Sequence, residues 1–268
     1  MKKILIGILG LVLVSALVWA AGNAPVIKTQ PKSQTVNEGS SVTFSVVATG
    51  GLDLDMVWIK PGTFTREGYN VTISKGFWLG KYEVTQAQYE AVMGTNPSNW
   101  KGADLPVEKV SWYDATNFCA KLTASEKAAG RLPSGYAYTL PTEAQWEYAC
   151  RAGTTGDYNV NGAALSDLAW YYDNSSSKTH PVGQKKPNAW GLYDMHGNVW
   201  EWCLDWYGSY PSSAVTDPKG PATGSLRVIR GGGWNYYADL CRSAYRRDSY
   251  PSSYRDYNGF RVALAPVQ

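Results

Sequence analysis

Cysteine is scarce in this chain of 268 residues and badly placed for chemistry. The 4 cysteines are Cys119, Cys150, Cys203 and Cys241, and no two form a Cys-x-x-Cys pair. None precedes Cys119, which excludes a lipid-modified cysteine at the end of an N-terminal leader. Histidine is scarcer still, with only His180 and His196, so a zinc centre of the usual spacing is not expected. An excess of one charge is also missing. A net charge of +3 gives little grip on nucleic acid or on an anionic membrane surface. Beyond residue 19 no apolar run is long enough to span a bilayer.

The one apolar run lies at the start. Lys2 and Lys3 precede Ile4 to Trp19, and the small residues Ala20, Ala21 and Ala24 follow. This fits a cleaved secretory signal peptide over residues 1–23, with an uncleaved anchor helix as the alternative. The expected product is an exported bacterial protein, whether periplasmic, cell-surface or secreted, and a monomer. Export permits disulfides, and four cysteines allow three pairings.

What the chain has in plenty is aromatic and loop-forming residues: 12 Trp, 19 Tyr, 27 Gly and 14 Pro. That mixture suggests a loop-rich domain pinned by buried aromatics. Residues 24–52 read as a separate module. Val42, Phe44 and Val46 alternate with Ser and Thr as in a strand. The stretch from Thr29-Gln30-Pro31 to Glu38-Gly39-Ser40-Ser41-Val42-Thr43-Phe44 resembles the opening strands of a bacterial immunoglobulin-like domain. It is too short to be a whole sandwich and reads as a stub or spacer. In the main domain, residues 53–268, strands are expected at Val57-Trp58-Ile59 and Phe77-Trp78-Leu79, with Pro61-Gly62 as a turn between them. Helices should start after Thr85, Ser111 and Thr142, with Gln88, Asp114 and Gln145 three residues on as capping partners. The first should end near Gly94 and the third near Gly153. In the second, Trp112, Ala115, Phe118, Cys119 and Leu122 form an apolar stripe. Glu143 and Glu147 read as salt-bridged residues, and Gly197-Asn198 as a turn with positive φ anchored by Trp200 and Trp202. Residues 159–165 and 173–178 read as surface loops.

The C-terminal segment has an unusual composition. Arg230-Gly231-Gly232-Gly233-Trp234 and Asn258-Gly259-Phe260-Arg261 frame a filling of Tyr, Ser, Asp, Asn and Arg that is nearly free of aliphatic residues. Such a filling is poor core material and good contact material. Tyr gives rigid amphipathic area at low entropy cost, and the small polar residues give adaptable hydrogen bonds.

Several stretches, taken in order, resemble one family. They are Trp78-Leu79-Gly80-Lys81-Tyr82-Glu83-Val84-Thr85, then Leu105-Pro106-Val107 with Val110-Ser111-Trp112. Next come Leu140-Pro141-Thr142-Glu143-Ala144-Gln145-Trp146-Glu147-Tyr148-Ala149 and Gly191-Leu192-Tyr193-Asp194-Met195-His196-Gly197-Asn198-Val199-Trp200-Glu201-Trp202, and last the frame from Arg230 to Arg261. Over residues 56–265 the chain is similar to the formylglycine-generating enzyme, or sulfatase-modifying factor, domain. The resemblance implies an α+β fold, an elaboration of the C-type lectin fold with little regular structure. It also implies an oxidase that uses oxygen and copper held by two cysteines just after the Gly-Gly-x-Trp signature. Thiolates suit Cu(I). Here Asn235-Tyr236-Tyr237-Ala238-Asp239-Leu240 holds no cysteine, and the family's Arg-x-Ala-x-Arg pattern, set on Arg242, Ala244 and Arg246, leaves Cys241 outside both positions. Copper and catalysis are therefore not expected.

The resemblance further places Cys119 and Cys150 where the family carries disulfide cysteines, with the C-terminal partners replaced by Ser243 and Val262. That implies Cys119–Cys150 and Cys203–Cys241, or else four buried free thiols. It also places Asn198, the Val199 carbonyl and Glu201 in a stretch that contributes to a structural calcium site, a donor set that suits Ca²⁺. The alternative is that Asn198 simply takes a left-handed turn. The C-terminal segment, residues 234–261, is similar to the variable region of proteins diversified by retroelements. On that reading Tyr236, Tyr237, Leu240, Tyr245, Arg247, Asp248, Ser249, Tyr250, Ser253, Asp256 and Tyr257 meet a protein or glycan ligand. Trp234, Ala238, Arg242, Ala244, Arg246 and Pro251 are the fixed frame. The readings set against it are a divergent oxidase and a structural component of the cell envelope.

Overall fold

The computed structural model describes residues 52–267, together with short strands in the first 51 residues. The chain divides into two compact units, Met1–Asp53 and Leu54–Gln268. In the first, β1 (Lys3–Ile6) pairs antiparallel with β3 (Gln34–Asn37), and β2 (Val26–Thr29) with β4 (Val47–Thr49). β1 falls within the expected leader. The rest of that leader, and the alternating stretch Val42, Phe44 and Val46, lie outside the described residues.

The second unit opens with the two expected aromatic strands. β5 (Met56–Ile59) and β8 (Phe77–Gly80) pair antiparallel, with Trp58 opposite Trp78. Between them runs a hairpin where only a turn was expected: β6 (Gly62–Arg66) and β7 (Tyr69–Ile73). Its turn residues Glu67 and Gly68 both have positive φ, 47° and 88°. Two such residues in succession make the turn whose twist suits a tight hairpin.

All three expected capping boxes are present. They start α1 (Gln86–Met93), α2 (Trp112–Ala128) and α3 (Glu143–Arg151). α1 stops at Gly94, which is left-handed at φ 78°. α2 buries Ala115, Phe118, Cys119 and Leu122. α3 ends at Arg151, short of Gly153, because Ala152 already turns left-handed at φ 45°. A single-turn helix, α4 (Leu165–Leu168), follows.

The remaining strands are β9 (Tyr136–Thr139), β10 (Trp200–Trp206), β11 (Val215–Thr216), β12 (Arg227–Arg230), β13 (Arg246–Ser249), β14 (Asn258–Gly259) and β15 (Ala263–Pro266). They complete three sheets, ordered β5-β8-β15-β9, β11-β7-β6 and β13-β12-β10-β14. The core side chains with no exposure include Trp146, Trp200, Trp202, Phe77 and Leu79, and also two arginines, Arg230 and Arg261.

Both arginines are ion-paired. Arg261 donates from Nε and Nη2 to the two oxygens of Glu201, each at 2.7 Å, and to the Gly80 and Tyr193 carbonyls. Glu201 also accepts from Trp146 Nε1 at 2.7 Å. Arg230 donates to Glu147 at 2.7 Å and to the Ser243 and Tyr245 carbonyls. Glu147 takes Arg66 and Arg151 as well, and Glu143 takes Arg246. Burial pushes the Glu143 carboxyl up, but Arg230 and Arg246 outweigh it and leave it below the ordinary value. Both glutamates are therefore structural, as their sequence context suggested. Replacing Arg261 with Met strands the Glu201 carboxylate in the core and is expected to cost about 3–5 kcal/mol in urea denaturation. A loss below about 1 kcal/mol would show that the pair is not what closes the chain end onto β10.

Candidate ligand-binding surface

The frame around the C-terminal segment is built on close backbone approach. Gly232 has φ 83°, and a Cβ there would sit 2.4 Å from Cys241 Sγ. A Cβ on Gly259 would sit 2.5 Å from the Val107 carbonyl. Trp234 donates from Nε1 to the Asp256 carbonyl at 3.0 Å and meets Trp100 edge-on at 4.9 Å. A 3₁₀ turn over Ala238–Cys241 and the edge strand β13 carry the chain between these anchors.

The structure brings several of the expected contact residues together around Trp200. Tyr236 meets the Trp200 ring edge-on at 5.3 Å and Tyr257 at 5.4 Å, while Tyr245 lies 6.0 Å from Trp200. Arg247 donates to the Tyr236 hydroxyl at 2.7 Å. Burial, with Tyr257 beside it, pushes the Tyr236 hydroxyl up to about 12, so it stays a neutral donor and acceptor. Below these rings Trp200 Nε1 and Asn235 Oδ1 are buried without a partner. Tyr237 packs tilted against Tyr172 with ring centroids 4.6 Å apart, and Leu240 closes the turn that starts at Tyr237. Asp248 and Ser249 lie on β13 opposite Val228 and Arg227. Tyr250 and Ser253 share the next turn, Ser253 N–H donating to the Tyr250 carbonyl. Asp256 follows at the carbonyl held by Trp234.

Two aromatic neighbours were not in the expected set. Tyr172 is nearly as exposed as Tyr237, and its N–H donates to the Tyr236 carbonyl at 3.0 Å. The sequence signal for it is the Tyr171-Tyr172 pair heading a polar loop. Trp200 was read as core, which it is, yet its ring also floors the aromatic group. Among the frame residues, Arg246 is locked to Glu143. Ala244 is exposed, so packing does not fix it.

The expected disulfides are not formed. All four cysteines are free and buried. Cys150 faces the Met195 carbonyl, His196 and Ser243, with Sγ 3.7 Å from Ser243 Oγ. Cys241 packs in a separate cluster with Leu165 and Ala169. Cys203 sits in the main core, and Cys119 on the buried stripe of α2. Burial pushes the Cys150 and Cys241 thiols up to about 12. A copper ion needs a thiolate pair, and this segment offers one buried, protonated thiol, so its residues do not fit copper.

The two side-chain ligands of the expected calcium set, Asn198 and Glu201, are already engaged within the protein. Asn198 has φ 59°; its Oδ1 accepts from His180 N–H, and its Nδ2 donates to Glu83 and to the His180 carbonyl. Val199 N–H donates to Glu83, and both Glu201 oxygens belong to Arg261. Burial, then repulsion from Asp194 and Glu201, holds the Glu83 carboxyl well above the ordinary range. The acidic oxygen left without a partner in this stretch is Asp194 Oδ1.

Comparison with known proteins fits this geometry into a lineage. The sulfatase-modifying factor enzyme 1-like domain model matches residues 49–266. The chain belongs to the sulfatase-modifying factor family. It is 34% identical over 229 residues to the chaperone protein LppX of Paenibacillus barcinonensis, covering 67% of this chain and 78% of the relative. It is 37% identical over 177 residues to the formylglycine-generating enzyme of Streptomyces coelicolor, covering 59% of this chain and 52% of that enzyme. The chain thus spans about half the length of that enzyme. Among solved structures, Treponema denticola variable protein 1 has 33% identity and a TM-score of 0.72, covering 79% of this chain and 95% of that one. The α+β scaffold is therefore that of the formylglycine-generating-enzyme-like C-type lectin fold, shared with a variable protein.

Two predictions concern the surroundings of this surface. Ser243→Cys is expected to form a disulfide with Cys150 on mild oxidation and to add about 3–4 kcal/mol of stability. Mass spectrometry after alkylation without reductant checks it; a variant with every thiol alkylated would contradict the geometry. The second concerns Glu108, which is fully buried and accepts from Asn99 and Trp100 N–H through one oxygen. Burial pushes its carboxyl up to about 7, the two N–H bonds opposing and Asp256 adding to the rise. The folded chain then holds a proton that the unfolded chain has released. The stability this gives is complete below the ordinary carboxylate range and is lost as pH rises through about 7. Glu108→Gln keeps an oxygen for both N–H groups, so it should outlast the parent by about 1–2 kcal/mol near pH 8 and match it near pH 4.5. Equal differences in melting at the two pH values would contradict this.

Proposed function

We propose that this protein is an exported, non-catalytic ligand binder whose residues 236–257 meet a protein or glycan, and that a retroelement varies that face. One observation carries the reading. None of the expected contact positions from Tyr236 to Tyr257 is buried, whereas the interleaved Cys241 and Ser243 and the flanking Gly231, Gly232, Gly233 and Asn258 are. Side chains at the contact positions can therefore change without opening a cavity in the core, where substitutions are costly. Tyr250 and Tyr237, exposed by 66% and 58%, offer flat ring faces, and Arg247 and Asp248 offer charge of both signs. The likeness to Treponema denticola variable protein 1 supports variation on this scaffold. Oxidation of a substrate cysteine has little support, since Cys241 is the lone and buried thiol of the segment.

Sequencing this locus across isolates tests the proposal. Differences should concentrate at Tyr236, Tyr237, Tyr245, Asp248, Tyr250 and Tyr257, while Trp234, Arg246 and Gly259 stay fixed. If those tyrosines are as constant as the frame, diversification is wrong.

A further inference from the structure

A cavity of about 380 Å³ opens where the turn after β7, the segment after β11 and the first turn of α3 meet. Lys75, Gln145, Asp217, Lys219 and Pro266 line it. Lys75 and Lys219 are exposed, and neither has an ion-pair or hydrogen-bond partner among the described residues. The one carboxylate is already occupied, because Ser74 donates to Asp217 Oδ1 from its backbone N–H at 2.8 Å and to Oδ2 from its hydroxyl.

Gln145 supplies the second, independent pointer. It is only 9% exposed, and its Oε1 accepts from Thr142 N–H at 2.9 Å as half of the α3 capping box. That bond fixes the amide oxygen and leaves Nε2, which has no protein partner among the described residues, as the free donor of a side chain that lines the cavity. A second cavity of about 310 Å³ shares Gln145, Lys219 and Pro266 and continues over Leu140, Leu204 and Ala265. A cationic mouth thus adjoins an apolar chamber.

We infer that this junction binds a small organic oxyanion. Its carboxylate, sulfate or phosphate group sits between Lys75, Lys219 and Gln145 Nε2, and its apolar body lies against Leu204 and Ala265. No residue of 236–257 lines either cavity, so the site stands whether or not the C-terminal face binds a ligand.

Thermal melts of the full chain with sodium sulfate, phosphate or benzoate, each against sodium chloride at equal ionic strength, test the inference. A saturable rise is expected, about 4 °C at ten times the dissociation constant, and the ranking of the three salts identifies the preferred head group. The exposed double variant Lys75→Glu, Lys219→Glu should lose the rise while melting close to the parent in chloride. Gln145→Glu keeps the capping oxygen but loses the amide donor, and should weaken binding by about tenfold or more. The inference is overturned if no anion gives a saturable rise over chloride, or if the double variant responds as the parent does.

Discussion

Buried charge pairing is the constraint on which this structure depends. Arg261 and Glu201 have no solvent exposure, and neither has Arg230 beside Glu147. Taking such groups out of water costs several kcal/mol each, and close ion pairs with added hydrogen bonds offset that cost. The pairing fixes where distant parts of the chain must lie. Glu143 and Glu147, one turn apart on α3, hold β12, β13 and the end of β6 through Arg230, Arg246 and Arg66. Glu201 on β10 holds the chain end through Arg261. A scaffold with short strands and long loops has few apolar faces to orient. Directional ion pairs supply the orientation that large helical or sheet interfaces give elsewhere.

Features with a local cause were legible in the sequence. A capping box needs only residues three apart, so Thr85, Ser111 and Thr142 declared their helices. The aromatic strands β5 and β8 were legible for the same reason. β10 was hidden because Trp200, Glu201, Trp202 and Cys203 are all buried, which erases the alternation that marks a half-buried strand. The β6–β7 hairpin was hidden because Glu67 takes a positive φ that glycine or asparagine usually signals. Long-range facts were the hardest. Glu201 looked like an ion ligand because its arginine lies 60 residues away. Cys150 looked like half of a disulfide, although the group it meets across 93 residues is a serine hydroxyl. Composition alone suggested that the Tyr, Ser, Asp and Arg positions of this segment avoid the core, and none of the expected contact positions is buried. It could not show that Tyr236 touches both Tyr257 and Arg247, or that Tyr172 lies beside Tyr237.

Trp200 marks the border between the two regimes. Its ring is wholly buried in the strand that carries Glu201, yet Tyr236 and Tyr245 pack on it from the outside. Residues grouped on one shared ring do not contribute independently, so exchanging Tyr236 changes the setting of Tyr245 and Tyr257 as well. The face then behaves as linked clusters rather than as a row of separate contacts.

The frame reaches this face largely through main-chain oxygens. Trp234 Nε1 binds the carbonyl of residue 256, Arg230 binds those of residues 243 and 245, and the N–H of Tyr172 binds that of residue 236. Every amino acid carries a carbonyl, so these struts survive whatever side chain occupies the position. Robustness to substitution is thus written into the wiring of the loop, and a lineage could explore many surfaces there while spending little of its folding stability on the search.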